Sequence, residues 1–271
     1  MRKLPSCSLV VSTYNMPEYL LRCLQTIADQ HVLPDEIIIA DDGSDERTKQ
    51  VIEQFKTTTA IPVVHVWHPD EGFRLAAIRN KAIAAASGEY IINTDGDVLL
   101  HKYFVYDHLR FVRRGWFIAG ERTFLTLAAT QKYLDERNGF PSFYTSSLSK
   151  RQHAFRCRLL AQLHAAIRHT STPYMYVVGC NMSFWKDDML KINGYNEAFQ
   201  GWGGEDFDIA ARLFNAGVKQ YFLRFYAVAY HLYHPESDHS NSVANEVLFR
   251  RALAEKTTRI EQGIDKHFHK V

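Results

Sequence analysis

Two aspartates, Asp95 and Asp97, flank a single glycine at the end of the apolar stretch IINTDGDVLL. If the backbone bends at Gly96, both carboxylates turn toward one point, where their like charges repel each other. A hard divalent cation relieves that repulsion, since Mg²⁺ and Mn²⁺ favour oxygen ligands and leave positions open for phosphate. The spacing therefore indicates a metal-assisted phosphate site, whereas an Asp-Gly dipeptide alone is typical of a surface turn.

A second pair of acids, Glu205 and Asp206, follows the sequence Trp-Gly-Gly. They stand where a helix is predicted to begin, and the positive end of a helix dipole favours ionised acids. An ionised carboxylate there can act as a general base, or it can simply complement the helix terminus. Trp202 is either a core aromatic or part of a mobile lip, and the flanking glycines favour the lip.

The elements that must position these acids are clearest in the first hundred residues, where apolar runs alternate with helical periodicity. Ser44 is a plausible cap for the second helix. The pattern β-α-β-α-β-α-β indicates a mostly parallel sheet covered by helices on both faces. The predicted strands are 7–13, 35–42, 61–67 and 89–95, and the predicted helices are 17–30, 44–55 and 75–86.

Polar clusters follow three of these strands, at 12–15, 41–45 and 94–97. Ligands of parallel sheets bind beyond the carboxyl ends of the strands. We therefore expect the three clusters to meet at one edge of the sheet.

The second half is less regular. A basic helix over 150–169 has Phe155, Leu159, Leu163 and Ala166 on one face. That face either lies on an anionic membrane surface or packs on the domain, and 101–116 has the same ambiguity. The remaining predictions are a strand over 115–125, a strand or hairpin over 174–185, a helix over 204–217, a strand over 219–231 and a long amphipathic helix from Val243.

Composition excludes several classes of protein. The 271 residues are 46% hydrophobic and carry a net charge of +2, which argues against general nucleic-acid binding. The sequence has neither GxxxxGK[ST] nor a GxGxxG after its first strand, so a P-loop NTPase or a dinucleotide dehydrogenase is disfavoured. Four cysteines without CxxC spacing, and no apolar run of about 18 residues, predict reduced thiols in a soluble cytoplasmic protein.

The motifs VSTYNMPEYLLRCLQTI, IIIADDGSDERT, GFRLAAIRNKAI and IINTDGD, in this order, resemble family 2 glycosyltransferases of the GT-A fold. The later NGYNEAFQGWGGEDFDIAARL is similar to β-1,4-galactosyltransferases and bacterial chondroitin polymerases. The resemblance spans 6–235. It implies an α/β, Rossmann-like sheet with a smaller acceptor-side subdomain. We divide the chain into a nucleotide-sugar-binding half (1–120), an acceptor-binding half (121–240) and a helical tail (241–271).

For the donor, the resemblance implies a nucleoside pocket in which Thr13 and Tyr14 lie against uracil. Asp42 would contact the base or ribose, with Asp41 as the less favoured alternative. Arg79 would face the base or the phosphates, assisted by Arg74.

The same resemblance implies that Asp97 binds Mn²⁺ or Mg²⁺ and that Asp95 lies near the ribose. A histidine after a late strand would complete the metal shell, with His231 preferred over His234. A nitrogen ligand favours Mn²⁺, and a structural zinc at HLYH is disfavoured because no cysteine pair accompanies it. His239 is predicted to be a loop residue.

Asp206 would deprotonate the acceptor hydroxyl, Glu205 would help to hold a sugar, and Trp202 would stack on the donor sugar. Retaining polypeptide N-acetylgalactosaminyltransferases look similar here but carry Asn at the position of Asp206, which favours inversion.

The predicted function is transfer of Gal/GalNAc or Glc/GlcNAc from a UDP-sugar to a glycan or lipid-linked glycan in bacterial surface polysaccharide or lipopolysaccharide synthesis. The 150–169 segment would contact the inner face of the cell membrane. The alternatives are a non-catalytic sugar-binding protein and a nucleotidyltransferase on the same fold. The absence of a glycine-rich basic loop near the first strand disfavours the nucleotidyltransferase.

Overall fold

The first half of the chain alternates strands and helices as its hydrophobic periodicity predicts. The computed structural model describes residues 4–135, 139–167, 176–235 and 239–268. The elements of the first half are β1 (Cys7–Thr13), α1 (Pro17–Ala28), β2 (Glu36–Asp41), α2 (Glu46–Lys56), β3 (Val63–Trp67), α3 (Leu75–Ala85) and β4 (Tyr90–Asp95).

The second half contains shorter elements. They are β5 (Val98–Leu100), α4 (Phe104–Phe111), β6 (Trp116–Ala119), β7 (Thr123–Leu125), α5 (Leu127–Asp135), β8 (Leu148–Ser149), α6 (Arg158–Ile167), β9 (Met182–Trp185), α7 (Lys186–Ile192), α8 (Glu205–Asn215), β10 (Lys219–Phe222), β11 (Ala229–His231) and α9 (Ser242–Ala254). Single 3₁₀ turns occur at Arg151–Ala154, Gly179–Asn181 and Ile264–His267.

Two sheets form within the described residues. The larger has seven strands in the order β10-β6-β9-β4-β1-β2-β3, and the smaller has four in the order β5-β11-β7-β8. In the larger sheet β4, β1, β2 and β3 run parallel, whereas β9 runs antiparallel to β4 and β6. The predicted α/β class with a mostly parallel sheet is confirmed.

The core lies on both faces of the larger sheet, because alternate residues of a strand point to opposite sides. Leu9 and Val11 of β1 pack in one cluster with Leu20 of α1. Val10, between them, packs in a second cluster with Ile78 of α3. Strand β1 is therefore buried on both faces, and only its ends are available for chemistry.

The predicted single strands over 115–125 and 219–231 are wrong, since each divides between the two sheets. The first breaks at Gly120, whose amide donates to the Asn181 carbonyl at 2.7 Å and where a Cβ would lie 2.3 Å from the Asn181 side chain. The second breaks where Phe225 and Ala227 adopt left-handed φ angles of 63° and 45°. Such values interrupt an extended strand.

The predicted cap Ser44 is also wrong. Asp45 caps α2, because its Oδ1 accepts from the amides of Arg47 at 3.1 Å and Thr48 at 3.3 Å. The Ser44 hydroxyl instead accepts from the amide of Asn15 at 2.9 Å. It thereby ties the loop after β1 to the loop after β2.

The helices of the second half settle part of the predicted ambiguity. Phe104, Val105 and Leu109 of α4 are buried, so the packed alternative is confirmed for that helix. On α6, Leu159 is 64% and Leu163 is 51% exposed, so these two do not pack on the domain. The side chain of Ala166 and residues 168–169 lie outside the described residues.

The tail is shorter than predicted, since α9 ends at Ala254 and a 3₁₀ turn follows at Ile264–His267. All four cysteines lie in the described part of the chain and are unpaired thiols, as predicted. Of the helices in the described ranges, none is both long enough and apolar enough to cross a membrane.

Candidate active site

The carboxyl ends of β1, β2 and β4 bring the three predicted polar clusters to one edge of the sheet. Ser12 pairs with Asp95 across the β1–β4 ladder, and Thr13 pairs with Asp41 across the β1–β2 ladder. The chain turns sharply after Asp95, because the Gly96 amide donates to the Ser12 carbonyl at 2.7 Å. A Cβ at Gly96 would lie 3.2 Å from that carbonyl oxygen, so the turn leaves little room for a side chain.

A buried arginine lies at the centre of the site. The Arg79 guanidinium is 1% exposed and donates through Nη2 to Asp95 Oδ1 at 2.9 Å and through Nη1 to Asp206 Oδ1 at 3.0 Å. Its Nε donates to the Ser12 hydroxyl at 3.1 Å, and Glu205 Oε1 lies 3.7 Å from Nη1. Burial alone would lower the pKa of Arg79, but the surrounding carboxylates raise it well above its usual value. Arg79 therefore holds together acids that would otherwise repel each other.

Asp206 is fixed at both carboxylate oxygens. In addition to the Arg79 contact, Oδ2 accepts from the amide of Gly179 at 2.7 Å. A Cβ at Gly179 would lie 2.5 Å from both Asp206 oxygens, so this close approach requires glycine. The Asp206 side chain remains 22% exposed. The carboxylate is thus held in one orientation and can still be reached from the site.

Glu205 begins α8 beside Asp206, and Gly204 precedes it with a left-handed φ of 100°. Burial, together with the negative charge of Asp206, raises the pKa of Glu205 to about 8. Burial also raises the pKa of Asp95, and Arg79 offsets only part of the effect because Asp97 and Asp206 lie nearby. The site therefore combines carboxyl groups of different basicity.

Asp97, His231 and His234 form a cluster on the other side of Gly96. One ligand atom from each residue lies within 4.8 Å of the others. Asp97 Oδ2 is 3.0 Å from His234 Nε2 and 3.6 Å from His231 Nε2. Burial raises the pKa of Asp97, but the two histidines outweigh this and hold it below its usual range.

The donor atoms of this cluster suit a metal ion. Nδ1 of His231 donates to the Leu232 carbonyl at 2.8 Å, and Nδ1 of His234 donates to the Pro235 carbonyl at 2.7 Å. With Nδ1 as the hydrogen donor, each Nε2 faces Asp97 Oδ2, and once Nε2 has lost its proton its lone pair can bind a cation at that point. Asp97 Oδ1 is buried and has no hydrogen-bond partner among the described residues. One carboxylate and two imidazoles can therefore hold a divalent metal ion.

The predicted nucleoside residues lie along β1 and β2. Thr13 is buried, and within the described chain its hydroxyl has no hydrogen-bond partner. Tyr14 is 44% exposed and donates its hydroxyl to Asp70 Oδ2 at 2.8 Å. The exposed Tyr14 ring can pack against a bound base, whereas the Thr13 hydroxyl is buried and offers it no accessible surface.

The two acids that end β2 are already hydrogen-bonded. Asp42 accepts from the amide of Arg74 at 2.8 Å and lies 2.6 Å from His68 Nε2. Asp41 lies 2.9 Å from His65 Nε2 and accepts from the amide of Ser44. The Arg74 guanidinium pairs with Glu71 and the Pro69 carbonyl.

Trp202 lies in the loop before α8 and is 46% exposed. Its ring centroid is 4.2 Å from that of His239, at an interplanar angle of 59°. The indole is therefore at the surface, as the predicted lip requires, and not in the core.

Arg122, which no sequence motif indicates, lies near both aspartates of the Asp-Gly-Asp motif. Its Nη1 donates to the Cys180 sulfur at 3.4 Å, and its buried Nε has no partner among the described residues. Its pKa is raised by Cys180 and, in part, by Asp95 and Asp97. The predicted strand over 115–125 placed Arg122 inside a strand. In the structure β6 ends at Ala119, so Arg122 lies in the loop after a strand end, where site residues are expected.

Two family models match the chain. "Glycosyl transferase family 2" matches residues 8–168, and "N-terminal domain of galactosyltransferase" matches residues 161–235. The first covers more than half of the chain and contains Asp95 and Asp97, whereas the second contains Asp206 and both histidines of the cluster.

Several curated proteins are similar in sequence. Chondroitin synthase of Escherichia coli is 26% identical over 245 residues, which cover 83% of this chain and 34% of that protein. Validoxylamine A glucosyltransferase of Streptomyces hygroscopicus subsp. limoneus is 27% identical over 229 residues, which cover 79% of this chain and 49% of that protein. The chain thus spans a third to a half of these two relatives.

Solved structures share the fold. GalNAc-T7 with UDP, GalNAc and Mn²⁺ superposes with a TM-score of 0.66 at 13% identity, covering 100% of this chain and 57% of that one. The mannosyltransferase PcManGT of Pyrobaculum calidifontis, in complex with GDP-Man and Mn²⁺, gives 0.62 at 14% identity, covering 96% and 66%.

Proposed function

The chain belongs to glycosyltransferase family 2 and has the GT-A fold, and we propose that it transfers a sugar from a UDP-sugar to a glycan hydroxyl with inversion. One observation carries the proposal. Arg79 links Asp95 of the Asp-Gly-Asp motif to Asp206 of the Gly-Gly-Glu-Asp motif, 127 residues away from Arg79 in the sequence. A donor-binding motif and a candidate base are thereby joined in one site.

Asp206 is proposed as the general base. Its carboxylate is oriented by Arg79 and the Gly179 amide. Among the described residues, Arg79 is the cation with which Asp206 forms an ion pair. As the acceptor oxygen forms a bond to the anomeric carbon, its proton passes to Asp206 and the bond to the UDP oxygen breaks. Attack from the face opposite UDP inverts the anomeric configuration.

Asp97, His231 and His234 are proposed to hold Mn²⁺, with Mg²⁺ disfavoured by the two nitrogen ligands. When bound, the cation would neutralise the diphosphate and so stabilise the departing UDP. The sequence left a choice between His231 and His234, and the geometry supports using both. Arg122 supplies a further positive charge near the same carboxylates.

Thr13 and Tyr14 are proposed to contact uracil, with Asp42 at the base or ribose and Asp95 near the ribose. Because His68 and the Arg74 amide already occupy Asp42, the nucleoside would have to share or displace these contacts. Arg79 was expected to face the base or phosphates. Its contacts instead support a role in holding Asp95 and Asp206.

Trp202 is proposed to stack on the donor sugar and Glu205 to hold a sugar hydroxyl. A Glu205 carboxyl with a pKa of about 8 would be largely protonated at neutral pH and could donate that hydrogen bond. We propose Gal/GalNAc or Glc/GlcNAc as the sugar and a glycan or lipid-linked glycan of bacterial surface polysaccharide as the acceptor. The sequence similarity to chondroitin synthase supports the polysaccharide class.

The test is release of UDP from a panel of UDP-sugars, with Mn²⁺ and with a chelator, by the native protein and by Asp97→Ala and Asp206→Asn. We expect metal-dependent release from one donor. Asp97→Ala should lose both release and Mn²⁺-dependent UDP binding. Asp206→Asn should keep UDP binding and lower transfer by roughly 10²- to 10⁴-fold, the usual contribution of general base catalysis.

The same assay separates the alternatives. Mn²⁺-dependent UDP binding without turnover on any acceptor would favour a non-catalytic sugar-binding protein. Normal transfer by Asp206→Asn would refute the assignment of the base while leaving the enzyme class intact.

A further inference from the structure

The loop that carries Trp202, residues 199–204, has a backbone that favours mobility. Gly201, Gly203 and Gly204 have left-handed φ angles of 71°, 93° and 100°. Glycine loses more conformational entropy on ordering than any other residue, so a loop with three glycines needs external contacts to keep one shape. On one side, the amide of Gly201 donates to the Phe73 carbonyl at 3.0 Å.

On the other side, one buried side chain gathers the carbonyl groups of this loop. Asn245 of α9 is 3% exposed, and its Nδ2 donates to the carbonyls of Gln200 at 3.0 Å, Trp202 at 3.3 Å and Gly203 at 2.8 Å. A primary amide has two hydrogens, so the three acceptors must share them in bifurcated bonds. This convergence fixes the loop at three of its backbone positions with one side chain.

Helix α9 and the Trp202 loop pack closely against each other around Asn245. A Cβ at Gly204 would lie 2.7 Å from the Phe199 ring and 3.5 Å from the Asn245 Cβ, so the helix and the loop approach each other across a glycine. Since α8 begins at Glu205, any displacement of the loop reaches Glu205 and Asp206 within two residues. Neither family model covers α9, because the second ends at residue 235.

We propose that Asn245 is a positioning residue: it holds the Trp202 loop in the shape that presents Trp202 and Asp206 to the reacting sugars. This inference rests on the proposed function of those two residues. Through Asn245 alone, α9 would help to shape the site, in contrast to the predicted separation of 241–271 as a helical tail.

The chemistry of the contact suggests the variants. Asn245→Asp has nearly the same shape but presents carboxylate oxygens to the loop carbonyls, so attraction becomes repulsion. Asn245→Ala removes the donor without adding charge. Glu246→Gln is the matched control on the same helix, because Glu246 is exposed and pairs only with Arg250, at 2.7 Å, among its described contacts.

The experiment compares these variants by amide hydrogen exchange of the 199–204 segment, UDP affinity in Mn²⁺, and kcat and KM for transfer. Both Asn245 variants should exchange faster in this segment and lose roughly 10- to 100-fold in kcat, as a misplaced catalytic group does. UDP affinity should be unchanged, because the residues proposed to contact the nucleoside lie at the ends of β1 and β2. Glu246→Gln should match the native protein in every measurement.

Four other outcomes would overturn the proposal. Unchanged exchange would mean that Asn245 does not hold the loop. Faster exchange with unchanged kcat would mean that the shape of the loop does not affect transfer. The turnover of the native protein would still support the enzyme class. A native protein that transfers no sugar would refute the proposed function, and the positioning role with it. Faster exchange over the whole chain, with UDP affinity lost as well, would indicate a general folding role instead.

Discussion

The two sides of the site pair their acids with different partners. At the end of β2, Asp41 and Asp42 pair with His65 and His68, which lie 24 and 26 residues further along the chain. At the end of β4, Asp95 is joined through Arg79 to Asp206, and the Arg79–Asp206 contact spans 127 residues. The first arrangement is local to two neighbouring strands, whereas the second exists only when both halves of the domain are packed.

The partners also differ in charge. Imidazoles are charged only when protonated, whereas a guanidinium carries its charge at every pH relevant to a folded protein. A buried ion pair costs much desolvation, and removing one partner leaves the other buried and uncompensated. We infer that substitutions on the Arg79 side lower the free energy of unfolding more than substitutions on the other side.

The largest effect is expected from Arg79→Gln. This change leaves Asp95, Glu205 and Asp206 close together without their cation, so we expect a loss of about 3–5 kcal/mol in the free energy of unfolding at pH 7. Transfer activity should disappear, because Asp206 loses one of its two orienting contacts. Urea denaturation followed by circular dichroism measures the stability.

Arg47→Gln is the matched control, also in the first half of the chain. Its pair with Glu18 is 2.6 Å long, but both side chains are more than half exposed, at 69% and 60%. Such a pair contributes about 0–1 kcal/mol. Equal losses in the free energy of unfolding for Arg79→Gln and Arg47→Gln would contradict the contrast between the buried Arg79 contacts and the exposed Arg47 pair.

A smaller, pH-dependent effect is expected from Glu205→Gln. Since the pKa of Glu205 is raised from 4.5 to about 8 in the folded chain, its protonated form stabilises the fold. That contribution is complete below the unfolded pKa and is lost as the pH rises toward 8. The variant cannot ionise, so it should gain roughly 1–3 kcal/mol over the native protein between pH 5 and pH 9.

Glu197→Gln should show the opposite sign. Burial would raise the pKa of Glu197, but hydrogen bonds from His267 and Lys266 outweigh it and lower the pKa. Its ionised form therefore stabilises the fold above the unfolded pKa, and this variant should be weaker than the native protein at neutral pH. Parallel pH profiles for the two glutamine variants would show that burial, not the local charges, dominates both sites.

Sequence patterns predicted the first half of the fold well, because its determinants are local. The strand periodicity from Leu9 to Val11 and the helical spacing that buries Leu20 and Ile27 require only a short window of sequence. The placement of Asp95 and Asp97 at a strand end followed from the same alternation. These features depend only on the order of strands and helices along the chain. In a parallel sheet, residues at the carboxyl ends of the strands then meet at one edge.

The other features depend on contacts between distant segments. Nothing within a short window around Arg79 indicates Asp206 as a partner, and nothing near Asn245 indicates the loop carbonyls. Phe225 and Ala227 break a predicted strand although neither is glycine or proline. Their left-handed backbone is imposed by packing, in part through the Asp107 carboxylate that accepts from the Ala227 amide at 3.0 Å.

The smallest effect on stability is expected on α6, where the sequence left open whether the apolar face packs on the domain. Leu159 and Leu163 are exposed, so the double change Leu159→Ser and Leu163→Ser should alter the free energy of unfolding by about 0.5 kcal/mol or less per site. Leu109→Ala on α4, which is 3% exposed, should cost about 2–5 kcal/mol. Denaturation of the three proteins at one pH measures the difference.

The same double variant tests the membrane contact that the sequence predicts for 150–169. An apolar helix face beside Arg158 would insert into the headgroup region and attract anionic lipid. Native protein should sediment with vesicles that contain phosphatidylglycerol, and the serine variant should remain in solution. Equal sedimentation of both proteins would remove α6 as the membrane contact. A large loss of stability in the serine variant would instead show that α6 packs on the domain in solution, and the contrast with α4 would then disappear.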